Sequence, residues 1–336
     1  MQIFGKNLKD DLAVIAEIGV NHQGNVSYAK ELIRLAASAG ADAVKFQSYT
    51  PERYASKENI ERFERVKCFA FSEMEHLELI AEAKANGIEF FSTPLSEDWV
   101  PFLDEHTNVF KIASGDITFE PVVRSVAAAN KPFIVSTGAA NIEEIDQLVE
   151  WVVDEIGLEL SRSNLILMHC ICSYPAPIEQ ANVRSVVYLK ERYGLEVGFS
   201  NHIIEQEACL AAVALGSNII EVHFTDNKTG REFHDHALSF EPQELESFIK
   251  SASLIKSSLG NFSKTVQPCE ENNVPNVRKG IVAAKDLSAG HIITKNDIFF
   301  CRPALPFSAA DLPSLIGKTL ERDISAGHTI KPENFR

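Results

Sequence analysis

The 336-residue sequence lacks a long hydrophobic run and a recognisable leader segment. No apolar run reaches the roughly 18 residues that a bilayer-spanning helix needs. The N-terminal stretch, MQIFGKNLKDDLAVIAEIG, has no basic segment followed by an apolar stretch and a small-residue cleavage site. We therefore expect a cytoplasmic protein with no membrane partner.

The sequence is also poor in cysteine and in positive charge. Its six cysteines, at 68, 170, 172, 209, 269 and 301, form no C-x-x-C pair and no regular framework, so reduced thiols are expected. The formal net charge of −15 disfavours nucleic acid as a partner. An anionic substrate would then need a local cluster of cations, which directs attention to lysines inside apolar runs.

What the sequence does contain is an alternation of short β-rich runs and amphipathic helical stretches. Eight strand-like runs are found, at Leu12–Ile18, Ala41–Phe46, Glu89–Ser92, Val109–Ile112, Phe133–Ser136, Leu165–His169, Glu196–Ser200 and Ile219–His223. Eight βα units over roughly 250 residues predict a (β/α)8 TIM barrel, with an open doubly wound sheet as the alternative. Many runs are continuously apolar, as parallel strands covered on both faces require.

The remainder of the chain predicts a small second domain. We expect a catalytic barrel over 1–260, a polar linker over 261–276 and a small domain over 277–336. Two similar phrases, Lys285-Asp-Leu-Ser-Ala-Gly-His and Arg322-Asp-Ile-Ser-Ala-Gly-His, form a weak internal repeat.

Polar residues gather at the strand ends, where a TIM barrel has its active site. Lys45 and Lys111 interrupt apolar strands, and burying an unpaired ammonium costs several kcal/mol. Either lysine alone could be a rim residue with its head in water, whereas two on separate strands suggest a dianion between them. Hydroxyl and backbone donors for a phosphate and a carboxylate are expected at Thr93, Ser114, Ser136 and Ser200.

Histidines end the last two predicted strands. His202 and His223 would lie on neighbouring strands and could hold a divalent metal, the alternative being hydrogen-bonded core histidines. The segment His234-Asp235-His236 is a competing pair, in which Asp235 is interpreted rather as a substrate ligand.

Three further polar residues have less certain chemistry from pattern alone. Glu17 ends the first strand and is a candidate for proton transfer near the metal, the alternative being a solvated glutamate. Cys170 and Cys172 have no activating partner in the sequence and are interpreted as buried, inert thiols.

Several phrases resemble the bacterial sialic acid synthase family. They are EIGVNHQG, GADAVKFQ, FFSTP, FKIASGD, VSTG, SYP, GFSNH, EVHFT and DHALS, in this order along the chain. In the tail, Lys285-Asp-Leu, Arg302-Pro and Ile316-Gly-Lys are similar to the family's SAF (antifreeze-like, β-clip) domain. The sequence departs from some members at Cys172, where they have asparagine, and Arg53–Phe71 matches no pattern.

The resemblance implies a function and a set of roles. It implies condensation of phosphoenolpyruvate with an N-acyl hexosamine aldehyde to a sialic-acid-type nonulosonic acid, with release of phosphate by C–O cleavage. It implies Mn²⁺, with Mg²⁺ or Co²⁺ as alternatives, on His202 and His223. The phosphoenolpyruvate positions are matched by Lys45, Lys111, Thr93, Ser114, Ser136 and Ser200, and the positions near the sugar by Glu17, Gln47, Tyr174 and Asp235. It also implies a domain-swapped homodimer, in which Arg302 reaches the partner's sugar site.

On the expected mechanism, the metal polarises the aldehyde, phosphoenolpyruvate attacks it, and water then adds to C2. Three alternatives remain at this point. One is a Schiff-base pyruvate aldolase using Lys45 or Lys111, and another is a phosphoenolpyruvate-dependent synthase acting on a different sugar. The third is a non-catalytic carbohydrate-binding protein.

Overall fold

The computed structural model describes residues 1–231, 233 and 235–335, and the chain falls into two compact units, Met1–Gly260 and Asn261–Arg336. Each unit has a hydrophobic core of its own. None of the described helices combines the length and the apolar composition needed to cross a membrane.

The first unit is a closed barrel of parallel strands, each followed by a helix. Strands β1 to β8 are Ala13–Gly19, Ala43–Ser48, Glu89–Pro94, Phe110–Ile112, Phe133–Ser136, Leu165–His169, Glu196–Asn201 and Ile219–His223. The helices that cover them are Val26–Ser38, Glu73–Ala85, Val100–His106, Glu120–Ala128, Ile142–Asn164, Ser185–Tyr193, Glu207–Ala214 and Pro242–Ser258. Each strand pairs with the next along the chain, and β8 closes on β1. The predicted TIM barrel is confirmed, and the open doubly wound sheet is excluded.

Additional elements lie at both ends of this barrel. A hairpin of Gln2–Ile3 and Lys6–Asn7 precedes β1, and its Ile3 joins the apolar cluster inside the barrel. Two short helices, Pro51–Tyr54 and Ile60–Phe69, follow β2, and the helical turn Asp235–Leu238 follows β8. The helix Glu73–Ala85 begins with the capping box that the sequence predicts, in which Ser72 and Glu75 bond each other's backbone N–H groups.

Strand alternation explains why polar groups converge at one end of the barrel. Side chains of a strand point alternately to its two faces, so inward positions recur every second residue. The inward residues of the lower layer are apolar and form one cluster, whose members include Ala13, Ile15, Ala43, Phe91, Val109, Ile134, Ile166, Met168 and Ile219. On each strand that contributes to this cluster, the next inward position carries a polar side chain. These residues are Glu17, Lys45, Thr93, Lys111, Ser136, Cys170 and Glu221.

The second unit is built from short strands and turns. Strands β9 (Gly280–Ala283) and β10 (Ile298–Cys301) are antiparallel, and short helices occupy Pro268–Glu271, Val274–Val277 and Leu312–Leu315. The first of these helices lies within 261–276, the predicted linker.

The two repeated phrases of this unit face each other. Leu287 and Ile324 exchange backbone hydrogen bonds of 2.8 Å in both directions. The N–H groups of Ala289 and Ala326 donate to Asp323 and Asp286 at 2.8 and 2.7 Å. The repeat therefore forms a pseudo-symmetric pair over a core that includes Ile281, Leu315 and Ile330.

Candidate active site

A cavity of about 240 Å³ opens at the C-terminal ends of the barrel strands. Twelve of the thirteen predicted site residues line it: Glu17, Lys45, Gln47, Thr93, Lys111, Ser114, Ser136, Tyr174, Ser200, His202, His223 and Asp235. The thirteenth, Arg302, belongs to the second unit, where it is exposed and its Nε donates to the carbonyl of Val277 at 2.6 Å.

Four buried charged side chains form the floor of this cavity. The Lys45 Nζ lies 3.0 Å from Glu17 Oε2 and 3.5 Å from Glu221 Oε2, and the Lys111 Nζ lies 3.5 Å from Glu221 Oε1. All four residues are 5% exposed or less. A buried charge requires a partner of opposite charge, and here each ammonium is paired with a carboxylate. Glu221 is the one member of the four that was not assigned as a site residue from the sequence. Its even spacing from His223 puts both side chains on the same face of β8, and this spacing could have identified it.

The pKa values of the two carboxylates move in opposite directions. Burial is the largest influence on Glu17 and raises its pKa to about 7, against the opposing effect of Lys45. Burial by itself would also raise the pKa of Glu221, but the ammonium groups of Lys111 and Lys45 outweigh it and lower that pKa to about 2. Glu221 is therefore the permanent counter-charge, and Glu17 can gain or lose a proton near neutral pH.

The two lysines also differ. Burial lowers the pKa of Lys111, and Glu221 opposes this only in part. For Lys45 burial is again the largest influence, but Glu17 and Glu221 together outweigh it and raise the pKa. The charge on Lys111 thus depends on Glu221 more critically than the charge on Lys45 does.

The two histidines at the ends of β7 and β8 lie side by side, with ring centroids 5.2 Å apart. His202 Nδ1 lies 2.6 Å from the carbonyl of Ile171, so Nδ1–H donates there and leaves Nε2 as the lone-pair nitrogen. His223 Nδ1 is buried and has no hydrogen-bond partner among the described residues. Burial lowers the pKa of both rings, which favours neutral imidazoles, the form that binds metals.

Other candidate metal ligands are less suitable. Both ring nitrogens of His236 have protein partners, Thr225 Oγ1 at 2.7 Å and Gln23 Nε2 at 3.1 Å, and His234 lies outside the described residues. Among the residues that the structure describes, no group of three or more His, Cys, Asp or Glu side chains is arranged to hold a metal ion. The pair of His202 and His223, with its unpartnered buried nitrogen, is the arrangement that fits a metal completed by substrate or water.

Several side-chain hydroxyl groups lie in the cavity wall around Lys45 and Lys111. Lys45 Nζ donates to Thr93 Oγ1 at 3.4 Å, and Ser200 Oγ donates to Glu221 Oε1 at 2.8 Å. Ser114 Oγ accepts the backbone N–H of Gly138 at 3.1 Å. Ser136 is buried within the same wall. Ser200 thus holds the counter-charge in place, whereas Ser114 and Ser136 line the cavity wall.

The expectation of two buried, inert cysteines is wrong for Cys172. Cys170 is 2% exposed, but Cys172 is exposed and lines the cavity. A hydrogen bond from Cys170, aided by Ser114 and Lys111, lowers the pKa of the Cys172 thiol to about 6. The groups that lower the pKa of this thiol lie on other strands, or two residues away on the same face of the chain. A search of the sequence for a neighbouring histidine or a C-x-x-C motif therefore does not find them.

Comparison with known proteins assigns the family. A sequence model described as the NeuB family matches residues 32–264, and one for the SAF domain matches residues 278–336. The chain belongs to the NeuB family. The predicted resemblance and the predicted SAF domain are both confirmed.

Relatives of this NeuB-family protein span nearly its whole length. It is 36% identical to an N,N'-diacetyllegionaminic acid synthase of Campylobacter jejuni, over 95% of this chain and 98% of that one. It is 30% identical to the N-acetylneuraminate-9-phosphate synthase of Homo sapiens, over 95% and 91% of the two chains. The crystal structure of an N-acetylneuraminic acid synthetase from Leptospira borgpetersenii, in complex with citrate, is similar with a TM-score of 0.73 and 33% identity, over 79% and 90% of the chains.

Proposed function

We propose that this protein condenses phosphoenolpyruvate with an N-acyl amino-sugar aldehyde to a nonulosonic acid, with release of phosphate. The observation that carries the proposal is the meeting of two buried ammonium groups, a proton-exchanging carboxylate and a histidine pair around one cavity. The names of the relatives, which are synthases of nonulosonic acids or of their 9-phosphates, support the same reaction class.

The lower part of the cavity suits phosphoenolpyruvate. In the resting site Glu17 and Glu221 partly offset the charges of Lys45 and Lys111. A phosphate and a carboxylate bound beside these lysines would gain charge-assisted hydrogen bonds in a site screened from water. Protonation of Glu17, whose pKa is about 7, would free Lys45 for the incoming anion.

His202 and His223 would hold a divalent metal, for which we propose Mn²⁺, with Mg²⁺ or Co²⁺ as alternatives. When bound there, such an ion supplies Lewis-acid polarisation of the aldehyde oxygen. The Ile171 carbonyl fixes the His202 ring so that Nε2 is the nitrogen available for binding.

The remaining steps use groups of the chain itself. C3 of phosphoenolpyruvate attacks the aldehyde carbon, forming the new C–C bond and leaving positive character at C2. As this bond forms, the protonated Glu17 gives its proton to the aldehyde oxygen, which becomes a hydroxyl group. The ionised Glu17 then accepts a proton from the water that adds to C2. The C2–O bond to phosphate breaks, and the new C2 hydroxyl loses its proton to the departing phosphate as the keto group forms. Lys45 and Lys111 stabilise the charge of the departing phosphate and of the carboxylate.

The upper part of the cavity suits the sugar. Gln47, Tyr174 and Asp235 line it, and a neighbouring cavity of about 340 Å³ shares Gln47, Tyr54 and Asp235. That second cavity is walled by aromatic and basic side chains, namely Tyr49, Tyr54, Arg62, Arg65, Phe69 and Phe233. Arg62 and Arg65 come from the helix Ile60–Phe69, within the stretch that matches no family pattern. N-acetylmannosamine and a 2,4-diacetamido-2,4,6-trideoxyhexose are the two acceptor classes that we propose.

The proposal is tested by phosphate release with phosphoenolpyruvate and a panel of these sugars. Metal removal by a chelator should abolish release, and Mn²⁺ should restore it. Phosphoenolpyruvate labelled with ¹⁸O in the C–O–P bridge should deliver the label to phosphate. Lys111→Met should lose activity while Lys250→Met, on an exposed helical surface, keeps it. Release from no sugar of the panel contradicts the proposal, and full activity without metal contradicts its metal-dependent form.

The Schiff-base alternative makes a different prediction. The pKa of Lys111 is lowered by burial, as in many Schiff-base lysines, so the alternative has a physical basis. Borohydride trapping with pyruvate should give a covalent adduct on an aldolase and none on the synthase that we propose.

We also propose a cytoplasmic, domain-swapped homodimer in which Arg302 contacts the partner's sugar. Arg302→Ala should then raise the KM for the sugar far more than the KM for phosphoenolpyruvate. Equal effects on both constants would contradict this role.

A further inference from the structure

Two cysteine thiols converge on one wall of the catalytic cavity. A Cβ built on Gly138 would lie 2.6 Å from Cys172 Sγ and 2.9 Å from Cys170 Sγ, so both sulfurs crowd the same point. The Cys170 Sγ also lies 3.2 Å from Ser114 Oγ, which accepts the backbone N–H of Gly138 at 3.1 Å. The absence of a side chain on Gly138 is what makes room for the pair.

The two thiols have different access to solutes. Cys172 is exposed at the cavity wall, in the company of Lys111 and Ser114, whereas Cys170 is buried directly behind it. A solute that enters the cavity therefore meets Cys172 first. Cys170 is the thiol in reach of whatever forms on the Cys172 sulfur.

The surroundings of Cys172 favour its reactive form. The thiolate is the nucleophile, and it is stabilised by neighbouring cations and by hydrogen-bond donors. Lys111 supplies the positive charge, and Cys170 and Ser114 supply donors. By contrast, Cys209 is fully buried in the apolar core, and burial raises the pKa of its thiol.

We propose that Cys172 and Cys170 are an oxidation site, in which a hydroperoxide converts the pair to a disulfide that closes the anion-binding wall of the cavity. The proposal rests on the proposed function only in its second half, the loss of phosphoenolpyruvate turnover. Formation of the disulfide itself is independent of that function.

The chemistry balances with hydrogen peroxide as the oxidant. The Cys172 thiolate attacks one peroxide oxygen, the O–O bond breaks, and Cys172 becomes a sulfenic acid while one water is released. The Cys170 thiol then attacks the Cys172 sulfur, forms the S–S bond and releases a second water. Cys170 thereby loses the S–H group beside Ser114, and the Cys172 sulfur is drawn toward Gly138, which alters the wall that would bind phosphate.

The test combines peptide mapping with turnover in the full-length protein. Treatment with hydrogen peroxide should give a Cys170–Cys172 disulfide in mass spectrometry and a parallel loss of phosphate release, both reversed by dithiothreitol. Phosphoenolpyruvate added beforehand should slow disulfide formation, because it would occupy the same wall. Cys170→Ser should stop at a sulfenic acid on Cys172 that a cyclic dione traps, and Cys172→Ser should form no internal disulfide.

A matched control is Cys68→Ser, which removes an exposed thiol on the helix Ile60–Phe69 and should oxidise as the wild type does. Oxidation that maps to Cys68 or Cys269 while the pair stays reduced would overturn the proposal. A disulfide that forms without loss of turnover would refute the switch and leave the condensation intact. Absence of turnover in the reduced protein would instead refute the proposed function, and the peptide map would still decide the oxidation site.

Discussion

Replacement of Glu221 by glutamine removes one negative charge from the cavity floor and almost nothing of its shape. Glu221 lies 3.5 Å from each of two ammonium groups, on Lys45 and Lys111, and it accepts the hydroxyl of Ser200. The amide oxygen of glutamine can still accept that hydroxyl. The change therefore isolates the role of the charge.

The magnitude follows from the distances. Unit charges 3.5 Å apart attract by about 5 kcal/mol at an effective dielectric constant of about 20. Loss of even a third of this energy changes the ratio of charged to neutral Lys111 about tenfold. Because burial already lowers the pKa of Lys111, its loss of charge would occur at lower pH in the variant. Neutral Lys111 attracts phosphate poorly, so kcat/KM for phosphoenolpyruvate should decline from a lower pH than in the wild type.

The assay is kcat/KM for phosphoenolpyruvate as a function of pH in both proteins. We expect the alkaline limb of Glu221→Gln to move toward neutrality by about one pH unit or more. Glu246→Gln is the matched control, since it removes a carboxylate that pairs with Lys250 in solvent, and its profile should coincide with that of the wild type. A folded Glu221→Gln protein with an unmoved alkaline limb would refute the reasoning.

Three further changes test other parts of the structure. Gly138→Ala places a methyl group within 2.9 Å of both cysteine sulfurs, so activity should fall severely while circular dichroism shows an intact fold. Glu17→Gln should remove a kinetic ionisation near pH 7, and persistence of that ionisation would assign it elsewhere. Asp297→Asn should lower thermal stability at neutral pH by breaking bonds to His291 and Lys285. These bonds lower the pKa of Asp297, so the stability difference should shrink as pH falls below about 4, and a constant difference would contradict this.

The barrel could be predicted because its sequence repeats one local rule from strand to strand. At seven of the eight strands, apolar side chains form the lower layer and a polar side chain follows two residues further on, as in Ile15 and Glu17 or Ile219 and Glu221. Once closure is assumed, every such residue must face one cavity. Twelve residues that line the cavity could therefore be predicted from the sequence without any information about distances.

Pairing within the cavity could not be predicted in the same way. Strand spacing brings Glu221 of β8 within 3.5 Å of Lys111 on β4, across the barrel, and sequence separation gives no hint of this contact. Cys172 is a similar case, because its partner Cys170 faces the same side of the chain only if the extended backbone of β6 continues past His169. Contacts of this kind depend on the tilt and taper of the barrel rather than on the period of one strand.

The buried charges also explain how an acidic protein can bind an anion. With a formal net charge of −15 the molecule has no long-range attraction for phosphoenolpyruvate, so the binding energy must come from the cavity itself. Two paired lysines provide it only if one carboxylate can be neutralised when the anion enters. Glu17, with a pKa near 7, can take up a proton, whereas Glu221 with a pKa near 2 cannot. Binding of phosphoenolpyruvate at neutral pH should therefore be accompanied by proton uptake, which calorimetry in buffers of different ionisation enthalpy measures directly. Binding with no proton exchange would mean that Lys45 meets the substrate while still paired with an ionised Glu17.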